Sequence, residues 1–594
     1  MNSDQIIVIV VILFIIVSLY KNLLGPGFTF IIAVSILGLA GILTPKETLS
    51  GFANEQLAVI IILLLIGEII RKSTLIDRFF NRFFRQTKNY KNFILKLIFP
   101  VAALSAIINN TPLVAIIMPY VHNWGKNHNV APSKLLIPLS YSAILGGTAT
   151  LIGTSTNLVV NGMVSEQTIF PDFKSLDIFD FTPVGLSMII VGGLYLVFAS
   201  NRLLPDKRDP LDNISLLSRE YIVEVKVNHG SDYHKKTVEQ ANLRNLKGLF
   251  LVEIIRQDKS ITPVTPQTVV QEEDFLIFAG NTETIADMIE NNKTLKPSQL
   301  GMFSRRAKTS VVEVVVSPNS NLTGKTVKEA GFRGKFDAAI IAVHRNGERL
   351  RGKIGKIKLL AGDLLLLITG EDFEERIDNK DFYILSKVRN IDKMPTLQSI
   401  LIAGGLITSI VLSSMHIIPL FNSLIVFLIL LFFSGVASPK DVPKTINYNL
   451  ILIIALSLSL GEAMTKTGIA SIISDMFINI FKPYGVFSLF VGIFLLTNLL
   501  ASVITNIGAV AIVFPVAISL AAQLGVDPRP LSMLVAFAGA ASFITPIGYQ
   551  TNLMVYGPGG YNFRDFMKIG LPMTLLFMLV ATIGLILQFN LKIN

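Results

Sequence analysis

The chain has 594 residues, of which 51% are hydrophobic and only 16% are charged, whereas a typical soluble protein carries about 25% charged residues. Its formal net charge is +11 and it contains no cysteine, which excludes disulfides, thiolate metal sites and thiol redox chemistry. The apolar excess is confined to residues 1–201 and 395–594, while residues 202–394 have the composition of a soluble protein. We therefore expect two membrane-embedded parts around a soluble insert. In such a protein the positive charge reflects Lys and Arg in cytoplasmic loops, so no nucleic-acid partner is expected.

Apolar segments of about 20 residues are long enough for a helix to cross a bilayer. The first half is predicted to contain spans at 5–20, 27–43 and 56–70, a re-entrant hairpin at 92–121, a broken span at 134–165 and a span at 183–201. The second half is predicted to contain spans at 397–414, 417–437 and 447–463, a hairpin at 484–521, a broken span at 531–557 and a span at 569–589. The predicted fold is a polytopic α-helical membrane protein, with five spans and one hairpin in each half.

The two halves are related by an internal repeat. The matched blocks are IINNTPLVAIIMP at 107–119 with VITNIGAVAIVFP at 503–515, and TLIGTSTNLVVNG at 150–162 with TPIGYQTNLMVYG at 545–557. Asn110 and Asn506 are 396 positions apart, and Asn157 and Asn552 are 395 apart. A nearly constant separation over several blocks indicates duplication of the whole membrane half.

Charge predicts that the repeats are inverted. Residues Arg71–Lys96 carry eight Lys or Arg and one acid, whereas the equivalent segment Thr465–Gly485 carries only two lysines. Basic loops face the cytoplasm, so the equivalent loops should lie on opposite sides of the membrane. This places the insert in the cytoplasm and both termini outside, in a bacterial inner membrane. Within Arg71–Lys96, the stretch LIDRFFNRFF is amphipathic and predicts a helix lying in the membrane interface.

The soluble insert is itself duplicated. Glu224 precedes Lys236 by 12 residues, and Glu313 precedes Lys325 by the same number, at the start of two similar β-rich segments. Each segment reads as a strand, a short helix and three more strands. The predicted domains are 1–201 and 395–594 in the membrane, and two tandem α+β domains at 202–300 and 301–394.

Each membrane half contains two helix interruptions, and these are the candidate binding positions. They are the hairpin tips, Asn109–Pro112 and Thr505–Gly508, and the Gly-rich breaks around Gly153 and Gly548. Irregular backbone at membrane depth is tolerated where it lines a cavity or is buried in protein. Asn, Ser and Thr there can donate hydrogen bonds to an anion, and their oxygens and unwound carbonyls suit Na⁺. The alternative is that these polar residues only join neighbouring helices.

At these positions the sequence resembles the divalent anion:sodium symporter family of the ion transporter superfamily. That family carries Ser-Asn-Thr at each hairpin tip, and this chain keeps both central asparagines in Asn109-Asn110-Thr111 and Thr505-Asn506-Ile507. The resemblance implies a Na⁺ site beside each central asparagine, formed by Ser105, Asn109, Asn110 and Gly153 and by Ala501, Ile504, Asn506 and Gly548. It implies substrate contacts by Asn109, Asn110, Thr111, Thr154, Ser155, Thr505, Asn506, Tyr549 and Gln550.

The insert adds a second resemblance, to the tandem C-terminal regulatory domains of TrkA or RCK type. The combination of such domains with this membrane fold is similar to the sulfate-transporting branch of the family. It implies Na⁺-coupled symport of sulfate by an elevator-type movement, in a homodimer. It also implies a small regulatory ligand on the insert, such as a cyclic dinucleotide or another nucleotide. A purely structural dimerisation role for the insert is the alternative.

Other functions remain open at this point. Ile507 and the pair Tyr549-Gln550 depart from the dicarboxylate carriers, yet a dicarboxylate substrate is still an alternative. A proton-coupled anion exporter would need intramembrane acids, and Glu68 and Glu462 are the acids near the ends of equivalent spans. A membrane sensor of substrate is a further alternative. A membrane enzyme is not expected, because no nucleophile–base pair or metal cluster is visible in the sequence.

Overall fold

The protein is described by a computed structural model. It describes residues 2–21, 23–71, 79–80, 83–84, 87, 89–173, 175–207, 222–243, 249–257, 259–261, 264–280, 295–297, 310–318, 320–345, 348–350, 354–369, 373–377, 381–385, 396–437, 442 and 448–591. Most of the predicted interfacial helix within Arg71–Lys96 and the predicted domain boundaries at 300/301 and 394/395 lie outside these residues.

The regular secondary structure of the first membrane half is helical in its described residues. Its helices are α1 Ser3–Lys21, α2 Pro26–Leu39, α3 Pro45–Ser50, α4 Glu55–Arg71, α5 Tyr90–Ser105, α6 Asn110–Asn127, α7 Leu136–Gly147, α8 Ser155–Glu166 and α9 Thr182–Leu203. The predicted hairpin corresponds to α5 and α6, and the predicted broken span corresponds to α7 and α8. Both interruptions therefore fall where the sequence predicts them.

The second membrane half repeats this order in its described residues, apart from α3 of the first half and the helix Ile469–Phe481 of the second. Its helices are α12 Thr396–Ser414, α13 Leu420–Phe433, α14 Tyr448–Lys466, α15 Ile469–Phe481, α16 Gly485–Val503, α17 Asn506–Leu524, α18 Pro528–Ala540, α19 Gln550–Tyr556 and α20 Phe563–Gln588. Local signals set several starts: Asp527 caps α18 with Pro528 at its first position, and Asn562 forms a capping box with Asp565 at α20. Helix α15 lies in the segment for which the charge pattern predicts an external loop, so it is not among the predicted helices.

Seven helical segments in the described part of the chain are long and apolar enough to cross a membrane. Three predicted spans correspond to shorter apolar helices, at Pro26–Leu39, Gln398–Ser414 and Leu420–Phe433. Apolar stripes face outward, as on α20, where exposed side chains recur every four residues at Leu571, Leu575, Leu579, Ile583 and Leu587. A continuous exposed apolar stripe on a long helix is what a lipid-facing surface requires.

The two membrane halves pack into one body through reciprocal contacts. Helix α2 packs on α14, while its repeat equivalent α13 packs on α4. Likewise α8 packs on α18 and α19 packs on α7, and the two last helices, α9 and α20, pack on each other. Exchange of equivalent contacts is what a two-fold relation between the halves produces. The orientation of that relation in the membrane, and hence the inverted topology, stays a prediction.

The insert contains two five-stranded antiparallel sheets with the same topology. The strands of the first are β1 Ile222–Val227, β2 Leu249–Arg256, β3 Lys259–Ile261, β4 Phe275–Gly280 and β5 Leu295–Pro297, in the order β3-β2-β4-β1-β5. Those of the second are β6 Ser310–Val316, β7 Ala338–Arg345, β8 Glu348–Arg349, β9 Leu364–Thr369 and β10 Phe382–Ile384, in the order β8-β7-β9-β6-β10. Two short helices, α10 Phe332–Phe336 and α11 Phe373–Arg376, complete the second domain.

Equivalent side-chain contacts recur in the two insert domains. Arg256 Nε lies 2.8 Å from Asp274 Oδ1, and Arg345 Nε lies 2.7 Å from Asp363 Oδ1, 89 positions further along. Each sheet has a fifth strand beyond the four predicted. The predicted short helix is present in the second domain as α10, whereas the equivalent residues of the first lie almost wholly outside the described part of the chain.

Candidate functional site

The first hairpin tip is held by its own polar side chains. Helix α5 ends at Ser105, α6 begins at Asn110, and the Asn109 side chain accepts a hydrogen bond from the backbone N–H of Thr111 at 3.3 Å. The Ser105 hydroxyl lies within hydrogen-bond distance of Asn110 Oδ1 and of the Ala143 carbonyl oxygen, the latter at 2.8 Å. Ser105 and Asn110 are 0% and 1% exposed. The tip is therefore a fixed set of neutral oxygen and nitrogen atoms.

The second hairpin tip has the same helix–turn–helix form but different partners. Helix α16 is followed by Ile504, and Thr505 caps α17 by accepting a hydrogen bond from the Gly508 N–H at 3.1 Å. Asn506 Oδ1 accepts a hydrogen bond from the Ser542 hydroxyl at 3.1 Å. Ala501, the equivalent of Ser105, is fully buried and has no hydroxyl.

The hydroxyl beside the tip asparagine comes from a different chain segment in each half. In the first half it comes from Ser105 on the hairpin, and the residue of the break beside Asn110 is Gly147. A Cβ added to Gly147 would lie 2.6 Å from Asn110 Oδ1, so a side chain there would displace the asparagine. In the second half the hairpin has Ala501, and the equivalent of Gly147 is Ser542, which bonds Asn506. Each asparagine oxygen thus lies within hydrogen-bond distance of a serine hydroxyl, which comes from the hairpin in the first half and from the break in the second.

The Gly-rich breaks pack closely on neighbouring chain segments. A Cβ added to Gly153 would lie 2.6 Å from the Gly147 carbonyl oxygen and 2.9 Å from that of Ser105. A Cβ added to Gly548 would lie 2.8 Å from Thr545 Oγ1 and 3.1 Å from the Ser542 Cβ, and the Gly548 N–H donates to Thr545 Oγ1 at 3.0 Å. Glycine thus permits a close approach at both positions, which gathers carbonyl oxygens beside Gly153 and side-chain oxygens beside Gly548.

Tyr549 joins the two halves at the first tip. Its hydroxyl accepts a hydrogen bond from Asn110 Nδ2 at 2.6 Å and is hydrogen bonded to Thr154 Oγ1 at 3.0 Å. Thr154 precedes α8, Asn110 begins α6 and Tyr549 precedes α19, so one hydroxyl connects the N-termini of three helices. Beside it, Thr111 Oγ1 donates to Gln550 Oε1 at 3.0 Å. Helix N-termini carry partial positive charge and favour an anion.

The predicted site residues are not all joined. Asn110, Thr154 and Tyr549 form one hydrogen-bonded group across the halves, and Thr111 and Gln550 form a second pair beside it. Ser155 and Asn109 instead line a mostly apolar pocket together with residues such as Ile107 and Leu158.

The second tip approaches the first break less directly. A Cβ added to Gly539 would lie 3.0 Å from the Thr156 methyl group and 3.6 Å from the Asn506 carbonyl oxygen. Thr505 has its described hydrogen bond within its own turn.

Sequence reasoning missed Ser140, which supports one of the two matched break asparagines. Ser140 donates to Asn552 Oδ1 at 2.7 Å, and Asn552 Nδ2 donates to the Ser542 carbonyl oxygen at 2.7 Å. In the first half, Asn157 Nδ2 donates to the Thr150 carbonyl oxygen, but its buried Oδ1 has no hydrogen-bond partner among the described residues. Ser140 lies in an apolar run, so no local pattern distinguishes it from a structural serine.

The fold and the site define a polytopic membrane transporter, with interrupted helices that meet at neutral polar tips. The family described as citrate transporter matches residues 7–493 and 425–592 of the chain. The chain therefore belongs to this citrate-transporter family, within the ion transporter superfamily, and the resemblance inferred from the tips is confirmed at that level. The family is one of transporters and not of enzymes, as predicted.

Individual relatives match over nearly the whole chain. A putative sulfur deprivation response regulator of Chlamydomonas reinhardtii is 32% identical, over 94% of this chain and 97% of that protein. An uncharacterized transporter of Synechocystis is 29% identical, over 98% of this chain and 97% of that protein. A probable sodium/sulfate cotransporter of Chlamydomonas reinhardtii is 23% identical, over 94% of this chain and 85% of that protein.

Proposed function

We propose that the protein is a secondary transporter that carries a divalent oxyanion, sulfate in the first instance, together with Na⁺. The observation that carries the proposal is the Tyr549 hydroxyl, which joins the N-termini of three helices from both halves. The named tip residues are neutral, so an anion would be held by hydrogen-bond donors and helix dipoles rather than by a fixed positive charge. Such a site binds an anion reversibly, as transport requires.

The proposed anion site favours a compact ligand. Tyr549 fills part of the space between Asn110 and Thr154, and Ile507 at the second tip presents no hydroxyl. Sulfate presents four oxygens around one centre and can accept several short hydrogen bonds from Thr, Asn and Tyr donors at one tip. Three Chlamydomonas relatives are named as sodium/sulfate cotransporters, one of them as a probable one, and these names support the same substrate.

The proposed Na⁺ sites lie behind the tips. In the first half, the carbonyl oxygens of Ser105 and Gly147 converge beside Gly153, next to Asn110 Oδ1. In the second half, Asn506 Oδ1 and Ser542 Oγ lie beside Gly548. Carbonyl, amide and hydroxyl oxygens are hard ligands suited to Na⁺, and a cation beside each asparagine would orient its amide toward the anion.

The remaining parts of the proposal concern the whole assembly. The membrane halves are inverted repeats, so the insert is cytoplasmic and both termini are external in a bacterial inner membrane. Transport is by elevator-type alternating access in a homodimer, and the insert domains, which resemble TrkA-C domains, regulate it. The predicted nucleotide ligand of the insert remains a prediction.

A citrate or dicarboxylate substrate is the second candidate. The observation that favours it is the description of the matching family as citrate transporter. Both candidates use the same tips, but a carboxylate substrate spans a longer distance and needs donors at both tips. Competition between the two kinds of anion therefore separates them.

Uptake of labelled sulfate into proteoliposomes tests the proposal, with and without an inward Na⁺ gradient. We expect Na⁺-dependent uptake in the wild type and its loss in Asn110→Ala and Asn506→Ala. If a proton gradient alone drives as much uptake as the Na⁺ gradient, the transporter is coupled to protons and not to Na⁺. Citrate or succinate uptake without sulfate uptake would move the substrate to the carboxylates. Binding of sulfate without flux of any anion would favour a membrane sensor.

A further inference from the structure

The second insert domain touches the helix that carries the anion site. The turn Leu360–Asp363 precedes β9, and a Cβ added to Gly362 would lie 2.8 Å from the carbonyl oxygen of Leu553. A Cβ added to Gly557 would lie 2.1 Å from the Gly362 carbonyl oxygen. Leu553 lies within α19 and Gly557 caps its C-terminus. The turn and the helix are therefore in backbone contact, with no room for a side chain at either glycine.

An apolar face surrounds this contact. Val315 and Leu364 of the second domain, and Leu385 after β10, belong to the same buried cluster as the membrane helices, and they are 0%, 7% and 1% exposed. Tyr383 packs against the same cluster. The second domain thus buries one face of its sheet against the membrane part of the chain.

The equivalent face of the first insert domain is charged. Strand pairing makes Lys226 the equivalent of Val315, and Lys296 the equivalent of Tyr383. The equivalent turn reads Gln-Glu-Glu-Asp instead of Leu-Ala-Gly-Asp. Glu273 pairs with Lys226 at 2.5 Å, and the Gly230 backbone N–H lowers the pKa of Glu272.

The two turns have the same shape, so the difference between the domains is chemical. Glu273 and its equivalent Gly362 both have positive φ, at 66° and 84°. In each turn the aspartate accepts a hydrogen bond from the N–H three residues before it, at 2.7 Å for Gln271 and 2.8 Å for Leu360. The copy of the turn that docks on α19 is therefore the one without the two glutamates.

The chain segment leading into the insert is hydrogen bonded to the region just beyond α19. Lys207 Nζ donates to Asp565 Oδ2 at 2.9 Å and to the Gly560 carbonyl oxygen at 2.8 Å. The Lys207 N–H donates to Ser133 Oγ at 2.9 Å, at the start of the first broken span. The segment 553–565 is thus held on one side by the turn and on the other by this linker.

Helix α19 is short enough to transmit a displacement. It has seven residues, a length of roughly 10 Å. Its N-terminal end presents Tyr549 and Gln550 to Asn110, Thr154 and Thr111, and its C-terminal end meets the turn. A shift of the turn Leu360–Asp363 therefore moves the Tyr549 hydroxyl, which joins the N-termini of the three helices.

We propose that the second insert domain is a positioning element of the anion site: its turn 360–363 docks on α19 and holds Tyr549 and Gln550 in place. A change in the insert that weakens this docking lowers anion affinity, which gives the insert a route to regulate transport. The anion readout rests on the proposed function, whereas the docking itself does not.

The test transfers the charged turn of the first domain to the second, as Ala361→Glu/Gly362→Glu. The first domain shows that this turn sequence is compatible with the fold. The matched control is the reverse exchange in the first domain, Glu272→Ala/Glu273→Gly, whose face lacks the apolar docking surface. Both variants are compared as full-length protein in proteoliposomes, by sulfate KM and Vmax and by hydrogen exchange of amides 550–557.

We expect the variant to raise KM for sulfate about fivefold or more, in the usual range of coupling between sites. Amides 550–557 should exchange faster, and the control should match the wild type in both readouts. Gly557→Ala, which places a methyl group against Gly362, should reproduce both effects from the membrane side. Its control is Gly404→Ala on α12, where an added Cβ meets nothing within 4 Å.

Unchanged exchange and unchanged KM in both test variants would overturn the proposal. So would faster exchange with unchanged KM, because α19 would then move without affecting the anion site. A fall in Vmax that only follows the amount of folded protein would also overturn it. If the wild type takes up no sulfate, the proposed substrate fails, and the exchange of amides 550–557 still decides whether the turn holds α19.

Discussion

In the second half, the Ser542 hydroxyl donates a hydrogen bond to Asn506. In the first half, the hydroxyl beside the equivalent asparagine is that of Ser105. Ser542→Ala removes a 3.1 Å hydrogen bond from Asn506 Oδ1. A neutral hydrogen bond contributes about 0.5–1.5 kcal/mol, which corresponds to roughly a twofold to tenfold change in a binding constant. Asn506 is only half-buried, so water can replace part of the lost bond. We expect the lower part of this range.

The assay is the Na⁺ concentration that gives half-maximal sulfate uptake. We expect it to rise about threefold in Ser542→Ala, by the hydrogen-bond range given above, with a smaller effect on Vmax. Ala501→Ser in the same protein places a hydroxyl where the first half has Ser105. It should recover most of the Na⁺ affinity, because Ser105 reaches its asparagine from that position.

The control is Ser502→Ala, which removes a hydroxyl that bonds the Asn498 carbonyl oxygen of its own helix at 2.8 Å. It should leave the Na⁺ dependence unchanged. An unchanged Na⁺ dependence in Ser542→Ala would refute the reasoning. A loss in Ser542→Ala that Ala501→Ser does not reverse would show that the serine acts through some contact other than its hydrogen bond to the asparagine.

Three further results are expected. Tyr549→Phe should raise the sulfate KM about fivefold, since it removes a hydroxyl with two hydrogen bonds of roughly 0.5–1.5 kcal/mol each. Tyr556→Phe on the same helix should leave the KM unchanged. Equal KM values in these two variants would contradict the bridging role of the Tyr549 hydroxyl. Gly147→Ala should abolish Na⁺-dependent uptake because its methyl group would displace a tip asparagine, and retained uptake would show that the tip tolerates the shift. Asp363→Asn should destabilise the second insert domain by about 1.5–3 kcal/mol, because its carboxylate is buried against an arginine. Limited proteolysis of the full chain measures this, and cleavage unchanged from the wild type would argue against it.

Local patterns in the sequence predicted the elements well. Apolar runs and their Gly and Pro breaks gave both hairpins and both broken spans, and the matched blocks gave the pairing of Asn110 with Asn506. The amphipathic α15 was missed because its segment carries few charges, and the charge pattern therefore predicts an external loop there. The fifth strand of each insert sheet was missed because β5 and β10 are only three residues long.

The sequence by itself determined the order of the helices, the two duplications and the identity of the tip residues, because each depends on residues close together in the chain or on repeated patterns. Tertiary structure decided which side chains meet. Tyr549 lies 439 positions from Asn110, and Gly362 meets Leu553 across 191 positions, so neither contact has a local signature. In the second half, the hydroxyl beside the tip asparagine comes from Ser542 in the break and not from the hairpin. This difference between the halves is likewise visible only in the tertiary structure, which brings both chain segments to the same asparagine.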